Sequence, residues 1–131
     1  MELIQQIKEH EGFRGSPYDD HLGYPTIGYG TKLPLSEVEA TLLLKHRLSD
    51  MSEELFSKKP TVLGYPAEIK EVLLEMSYQM GVPNVLKFRK MFYALDKGAY
   101  EAAADEMIDS RWYKQTPNRA TKLADIVRSC I

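Results

Sequence analysis

The sequence predicts an α+β fold that is mostly helical, with one small β element near the N-terminus. Three observations carry this reading. Apolar residues recur at helical spacing along most of the chain, as in Ile69, Val72, Leu73, Met76 and Met80. Residues 12–35 interrupt that pattern with a dense run of glycine and proline, from Gly12 to Pro34. The 131 residues, 44% hydrophobic and 27% charged, suit a single globular domain with one substantial core. That domain is expected to span 1–131, with a β-containing lobe over about 12–35. Its helical lobe is expected over about 60–131, joined by the N-terminal helix 2–10.

Taken in order, residues 2–10 form a short amphipathic helix with Leu3, Ile4 and Ile7 on one face, and Gly12 stands where a helix-ending glycine would. Residues 12–35 read as a small β-hairpin or short sheet turning near Leu22-Gly23. Ser36-Glu37-Val38-Glu39 is a capping box, in which the serine hydroxyl and the second glutamate exchange hydrogen bonds with each other's backbone amide. A helix follows to about residue 56, with Val38, Leu42, Leu48, Met51 and Leu55 available for an apolar stripe, and Lys58-Lys59-Pro60 ends it. Residues 67–80 form the next helix, broken by Gly81-Val82-Pro83, and further helices fit 85–96, 99–109 and 117–129. The methionines and aromatics of these helices read as core packing. The hairpin is too small to fold alone and must lean on the helices.

Charge and composition exclude several classes. The formal net charge is -2, with 17 basic residues outnumbered by 19 acidic ones, so the basic excess of a nucleic-acid binder is missing. The lone Cys130 cannot form an internal disulfide. The first residues lack the basic start and apolar run of a signal peptide, and no segment is apolar for long enough to be a membrane helix. Synthesis in the cytoplasm is therefore expected. His10 and His21 flank acidic residues, but their spacing matches no zinc pattern, and neither metal nor cofactor is expected.

Chemistry concentrates in the β segment. Glu11 lies at the end of the first helix, where unpaired carbonyls and the helix dipole disfavour a carboxylate and raise its pKa, as a general acid requires. The dipole contributes only about 0.3–1 kcal/mol, so burial or a neighbour must add to it. Asp20 is expected on the first strand, and a turn centred on Gly23 would set Thr26 opposite it. A carboxylate beside a hydroxyl can hold one water, and a proton donor facing that water is the arrangement for glycoside hydrolysis. Direct attack by the water inverts the anomeric carbon, with carboxylates roughly 6.5–9.5 Å apart; attack by Asp20 itself retains configuration, at roughly 5–5.5 Å. The spacing in sequence leaves both routes open.

Glu11-Gly12, Tyr18, Asp20 and Thr26-Ile27-Gly28-Tyr29-Gly30 together resemble the Glu-Gly, Tyr-x-Asp, Thr-x-Gly-x-Gly signature of phage-type lysozymes, specifically the T-even kind. Ser110-Arg111-Trp112-Tyr113-Lys114-Gln115-Thr116-Pro117-Asn118-Arg119 is similar to that family's C-terminal motif, and Met76-Ser77-Tyr78-Gln79-Met80-Gly81 is a weaker match. The resemblance implies a bilobal fold with its active site in the cleft between lobes. It implies an endolysin-type muramidase that hydrolyses, with inversion, the β-1,4 bond between N-acetylmuramic acid and N-acetylglucosamine. Glu11 would be the general acid, Asp20 would position or activate the water, and Thr26 would help to hold it. Arg119 matches the arginine that pairs with the catalytic glutamate, which would lower the acid's pKa and oppose the helix-end effect. Gln79 and Trp112 match positions framing the cleft floor, and Lys32, Tyr78, Met91 and Glu106 fall at saccharide-contact positions. The partner would be peptidoglycan glycan strands in the periplasm or cell wall, reached through a holin-like pore by a monomeric protein.

Several features depart from the family pattern. The stretch from Gly30 to Ser36 is short, which implies a reduced N-terminal lobe and a more open cleft. Thr31 and Lys32 replace a histidine and an apolar sugar contact, so the histidine–aspartate pair that histidine would make is not expected. The sequence pI of about 5.9 implies weaker attraction to an anionic wall. The competing reading is a glycan-binding module that kept the fold and lost turnover.

Overall fold

The computed structural model describes residues 2–131, which divide into two compact units, one running to Leu43 and the other from Leu44 to Ile131. The first unit opens with helix α1 (Leu3–Glu11), continues through three strands, β1 (Arg14–Asp19), β2 (Pro25–Gly28) and β3 (Thr31–Lys32), and ends in the first part of α2 (Glu37–Lys58). Helix α1 stops where Gly12 takes a positive φ of 72°, and its amide donates to the Lys8 carbonyl at 2.9 Å. A side chain there would strain the backbone, which is why a glycine punctuates this end.

The strands form one antiparallel sheet in the order β1-β2-β3. Tyr18 pairs with Thr26 and Asp19 with Pro25, while Thr26 pairs with Lys32 on its other side. This register corrects the expected one. Strand β1 ends at Asp19, Tyr18 rather than Asp20 stands opposite Thr26, and Asp20 opens the turn with its amide donating to the Tyr24 carbonyl at 2.9 Å. The physical reason is that the Asp20 side chain itself organises the turn, which centres it nearer Leu22 than Gly23. Strand β1 is also irregular: between the pairs Arg14–Gly28 and Tyr18–Thr26, residues Gly15, Ser16 and Pro17 face Ile27 alone. Pro17 has no amide to give, and an edge strand tolerates that.

The capping box forms as the sequence predicts. Glu39 N donates to Ser36 Oγ at 3.1 Å and Ser36 N donates to Glu39 Oε1 at 2.9 Å. This reciprocal pair starts α2, which carries the chain into the second unit.

The second unit is helical. A 3-10 turn (Pro60–Gly64) precedes α3 (Ala67–Met80), α4 (Val82–Val85), α5 (Arg89–Asp96), α6 (Tyr100–Ile108), α7 (Arg111–Gln115) and α8 (Pro117–Arg128). Its core holds Ile69, Leu73, Met76 and Met107, all at most 1% exposed. Buried alanines, Ala103 and Ala104 on α6 and Ala120 and Ala124 on α8, allow those two helices to pack closely. Arg128 ties α8 to α6 through Glu101 and Asp105. The helix expected over 85–96 begins only at Arg89: Val85 ends the short α4, which occupies part of the expected Gly81-Val82-Pro83 break, and residues 86–88 lie between the two helices, where Phe88 sets its ring edge-on to Trp112 at 6.2 Å. No glycine or proline marks residues 86–88 in the sequence. No helix among the described residues is long and apolar enough to cross a membrane.

Candidate active site

The sheet unit brings Glu11, Asp20, Thr26 and Lys32 together. Asp20 is held from three directions. Its Oδ1 accepts the amides of Leu22 and Tyr24, both at 2.9 Å, and its Oδ2 accepts the Lys32 ammonium. The Lys32 hydrogen bond first, and the Tyr24 amide next, pull its pKa down to about 2 from an ordinary 3.8. The carboxylate is 9% exposed, so solvent reaches it only narrowly.

Thr26 lies on the central strand and is fully buried. Its hydroxyl donates to the Tyr24 carbonyl at 2.8 Å. The one hydroxyl hydrogen is thereby committed, and the oxygen can only accept from another partner. Lys32 pairs with Thr26 across the sheet and its ammonium reaches Asp20, so one lysine links the two residues. The two residues expected to hold a water are thus near each other, though not by the direct pairing first expected.

Glu11 reaches the same region from the end of α1. A β-carbon added at Gly30 would stand 2.7 Å from Glu11 Oε2, so the carboxylate lies directly against the backbone of the β2–β3 turn. Tyr29, next to Gly30, is bracketed by residues on either side of Glu11: Lys8 sits 5.5 Å from its ring, and the Phe13 ring lies 5.6 Å away, tilted by 50°. These contacts fix the helix end on the turn. The importance of Gly30 was present in the sequence only as the last glycine of Thr-x-Gly-x-Gly.

The remaining candidates lie in the helical unit. Gln79, Met91, Glu106 and Trp112 border an open groove of about 770 Å³. Gln79 Oε1 accepts from the Trp112 indole at 3.0 Å, and Gln79 Nε2 donates to Thr116 at 3.4 Å, so Gln79 joins α3 to α7 and to the residue before α8. Met91 is 1% exposed, and most of its surface packs in the core. Tyr78 is 45% exposed on α3 and does not border the groove. Arg119 on α8 donates through Nε to Glu75 at 2.8 Å, an ion pair within its own unit.

The phage lysozyme family model matches residues 8–128. The chain is 31% identical, over 97% of its length, to the pre-baseplate central spike protein Gp5 of Enterobacteria phage T4, of which it spans 28%. It is 28% identical, again over 97% of its length, to a probable T4-type lysozyme 1 of Dictyostelium discoideum, of which it spans 94%. It is 27% identical over 88% of its length to the peptidoglycan hydrolase gp36 of Pseudomonas phage phiKMV, covering 14% of that protein. It is therefore similar both to a protein of nearly its own length and to small parts of much larger ones.

Proposed function

Because the chain belongs to the phage lysozyme family, we propose that it is a peptidoglycan hydrolase acting as a muramidase on the β-1,4 bond between N-acetylmuramic acid and N-acetylglucosamine. The observation that carries the reading is the gathering of Glu11, Asp20 and Thr26 around one small sheet, with Asp20 ionised by its hydrogen bonds. Glu11 gives its proton to the glycosidic oxygen as that bond breaks. A water held between the Asp20 carboxylate and the Thr26 oxygen then bonds to the anomeric carbon. It releases one proton to Asp20 and keeps the other as the new anomeric hydroxyl; exchange with solvent then returns the proton from Asp20 to Glu11, and the products are two shorter glycan strands. A carboxylate with a pKa of about 2 is a weak base. That suffices where the transition state resembles an oxocarbenium ion, because such a carbon draws in the water with little help. Attack by water, rather than by an Asp20 already bonded through both oxygens, favours inversion.

In this reading the groove of the helical unit receives the saccharide strand or its substituents, with Gln79 and Glu106 as polar contacts. Met91 contributes at its edge, and Tyr78 and Arg119 contribute from outside that groove. The partner is peptidoglycan in the periplasm or cell wall, with passage through a holin-like pore and action as a monomer.

The test is clearing of outer-membrane-permeabilised Gram-negative cells, with product analysis of the digested wall. Wild-type protein should lyse the cells and leave new reducing ends at muramic acid, and Glu11→Gln should not. Equal lysis by both proteins would remove Glu11 from the mechanism. Anhydro-muramic ends would make the enzyme a lytic transglycosylase, and cleaved peptide stems would make it an amidase or peptidase. Wall binding without lysis by the wild type would favour the glycan-binding module.

A further inference from the structure

Lys32 stands directly across the strand pair from Thr26, on β3, and its ammonium reaches past that central row to Asp20 Oδ2. The two ends of this ion pair differ in access, with the Asp20 carboxylate 9% exposed and the lysine side chain 59% exposed. The other groups acting on the ammonium are Glu11, from the end of α1, and Tyr18, from β1; both add attraction weaker than that of Asp20. Lys32 therefore brings a cation to a site that gathers two carboxylates, and it bonds the oxygen that the Leu22 and Tyr24 amides leave free.

We infer that Lys32 is a positioning residue for hydrolysis, its ammonium fixing the Asp20 carboxylate in the one orientation that presents it to a water beside Thr26. The inference rests on the muramidase reading. Two amides alone fix one carboxylate oxygen and leave the group free to tilt. The third bond, from β3 beyond the central strand, fixes the carboxylate plane. The same bond keeps Asp20 ionised in acid, since Lys32 is the largest cause of its lowered pKa. With Lys32 removed, the amide bonds remain, so the Asp20 pKa should rise from about 2 but stay below the ordinary 3.8.

The experiment compares wild type, Lys32→Met and Lys32→Arg in two measurements. The first is a carboxyl-carbon NMR titration of Asp20 in the free protein, which needs no activity. The second is the pH profile of kcat and KM for peptidoglycan hydrolysis. Lys32→Met should raise the Asp20 titration midpoint and move the acid limb of kcat upward with it. It should lower kcat on the order of tenfold to a hundredfold, the scale of a misplaced reacting group, while KM changes little. Lys32→Arg should restore the low midpoint and much of kcat. An unchanged Asp20 midpoint in Lys32→Met would overturn the inference, and so would a raised KM with kcat intact, which marks a plain substrate contact. A shifted midpoint with wild-type kinetics would reduce the pair to a structural ion pair and also overturn it. Failure of the muramidase reading looks different: wild-type protein would then release no muramic reducing ends at any pH.

Discussion

At the scale of single residues, the site is set by a few close approaches. Gly30 combines a positive φ of 79° with the 2.7 Å separation that a β-carbon would have from Glu11 Oε2. Gly30→Ala therefore meets two penalties. The backbone strain of an L-residue in this region costs roughly 1–2 kcal/mol, and the methyl pushes Glu11 from its seat. Its kcat/KM should fall at least on the order of tenfold with only a modest drop in Tm; an unchanged kcat/KM would mean that Glu11 does not work from this seat. Asp20 makes a second, pH-dependent statement. Its folded pKa of about 2 lies below the ordinary 3.8, so its contribution to stability is present above pH 3.8 and is lost as the pH falls from there towards 2. The difference in unfolding free energy between wild type and Asp20→Asn should shrink across that window and be flat above it, as urea titrations at successive pH values would read. Glu11, Asp20 and Thr26 were already candidates in the sequence. The register that relates them was not legible, because the Asp20 side chain bonds Leu22 and Tyr24 and moves the turn by a residue. The Lys32 bond was also hidden, since it joins Lys32 to Asp20 across the sheet rather than along the chain.

At the scale of elements, legibility followed punctuation. Helix α3 matches its expected bounds of 67–80 because Pro66 and Gly81 flank a clean apolar period. Helix α2 begins where the capping box says it should, and Ser36→Ala should cost about 0.5–2 kcal/mol of stability. Chemical denaturation would read that loss as a lower midpoint with unchanged slope, and a shift smaller than the measurement error would show that the cap is dispensable. The late start of α5 at Arg89, and the short α4 before it, were not legible, because no glycine or proline falls among residues 86–88. Helix α7 is too short to display a period. Its trace in the sequence is Ser110, whose hydroxyl accepts the Tyr113 amide at 3.1 Å and caps that turn.

At the scale of the whole molecule, burial is unevenly shared. Among the described residues up to Leu43, Thr26 is the one buried side chain, whereas the hydrophobic core lies entirely in the unit from Leu44 onward. Local stability follows buried apolar contact, so the two units should open with different free energies. Amides of β1 and β2 should exchange with solvent faster than those of α3, α6 and α8, even though the sheet carries the proposed chemistry. Met76, fully buried at the centre of α3, gives the matching perturbation. Met76→Ala should cost about 2–5 kcal/mol. That loss should lower protection of the slowest amides in α3, α6 and α8 together, because those amides exchange only when the core opens. Fast-exchanging sheet amides should change little, since their exchange already proceeds through smaller openings. Native-state hydrogen exchange on wild type and Met76→Ala reads both effects at once. Sheet amides as slow as those of α6 in the wild type would overturn this account, because the sheet's protection would then need a source other than buried apolar surface.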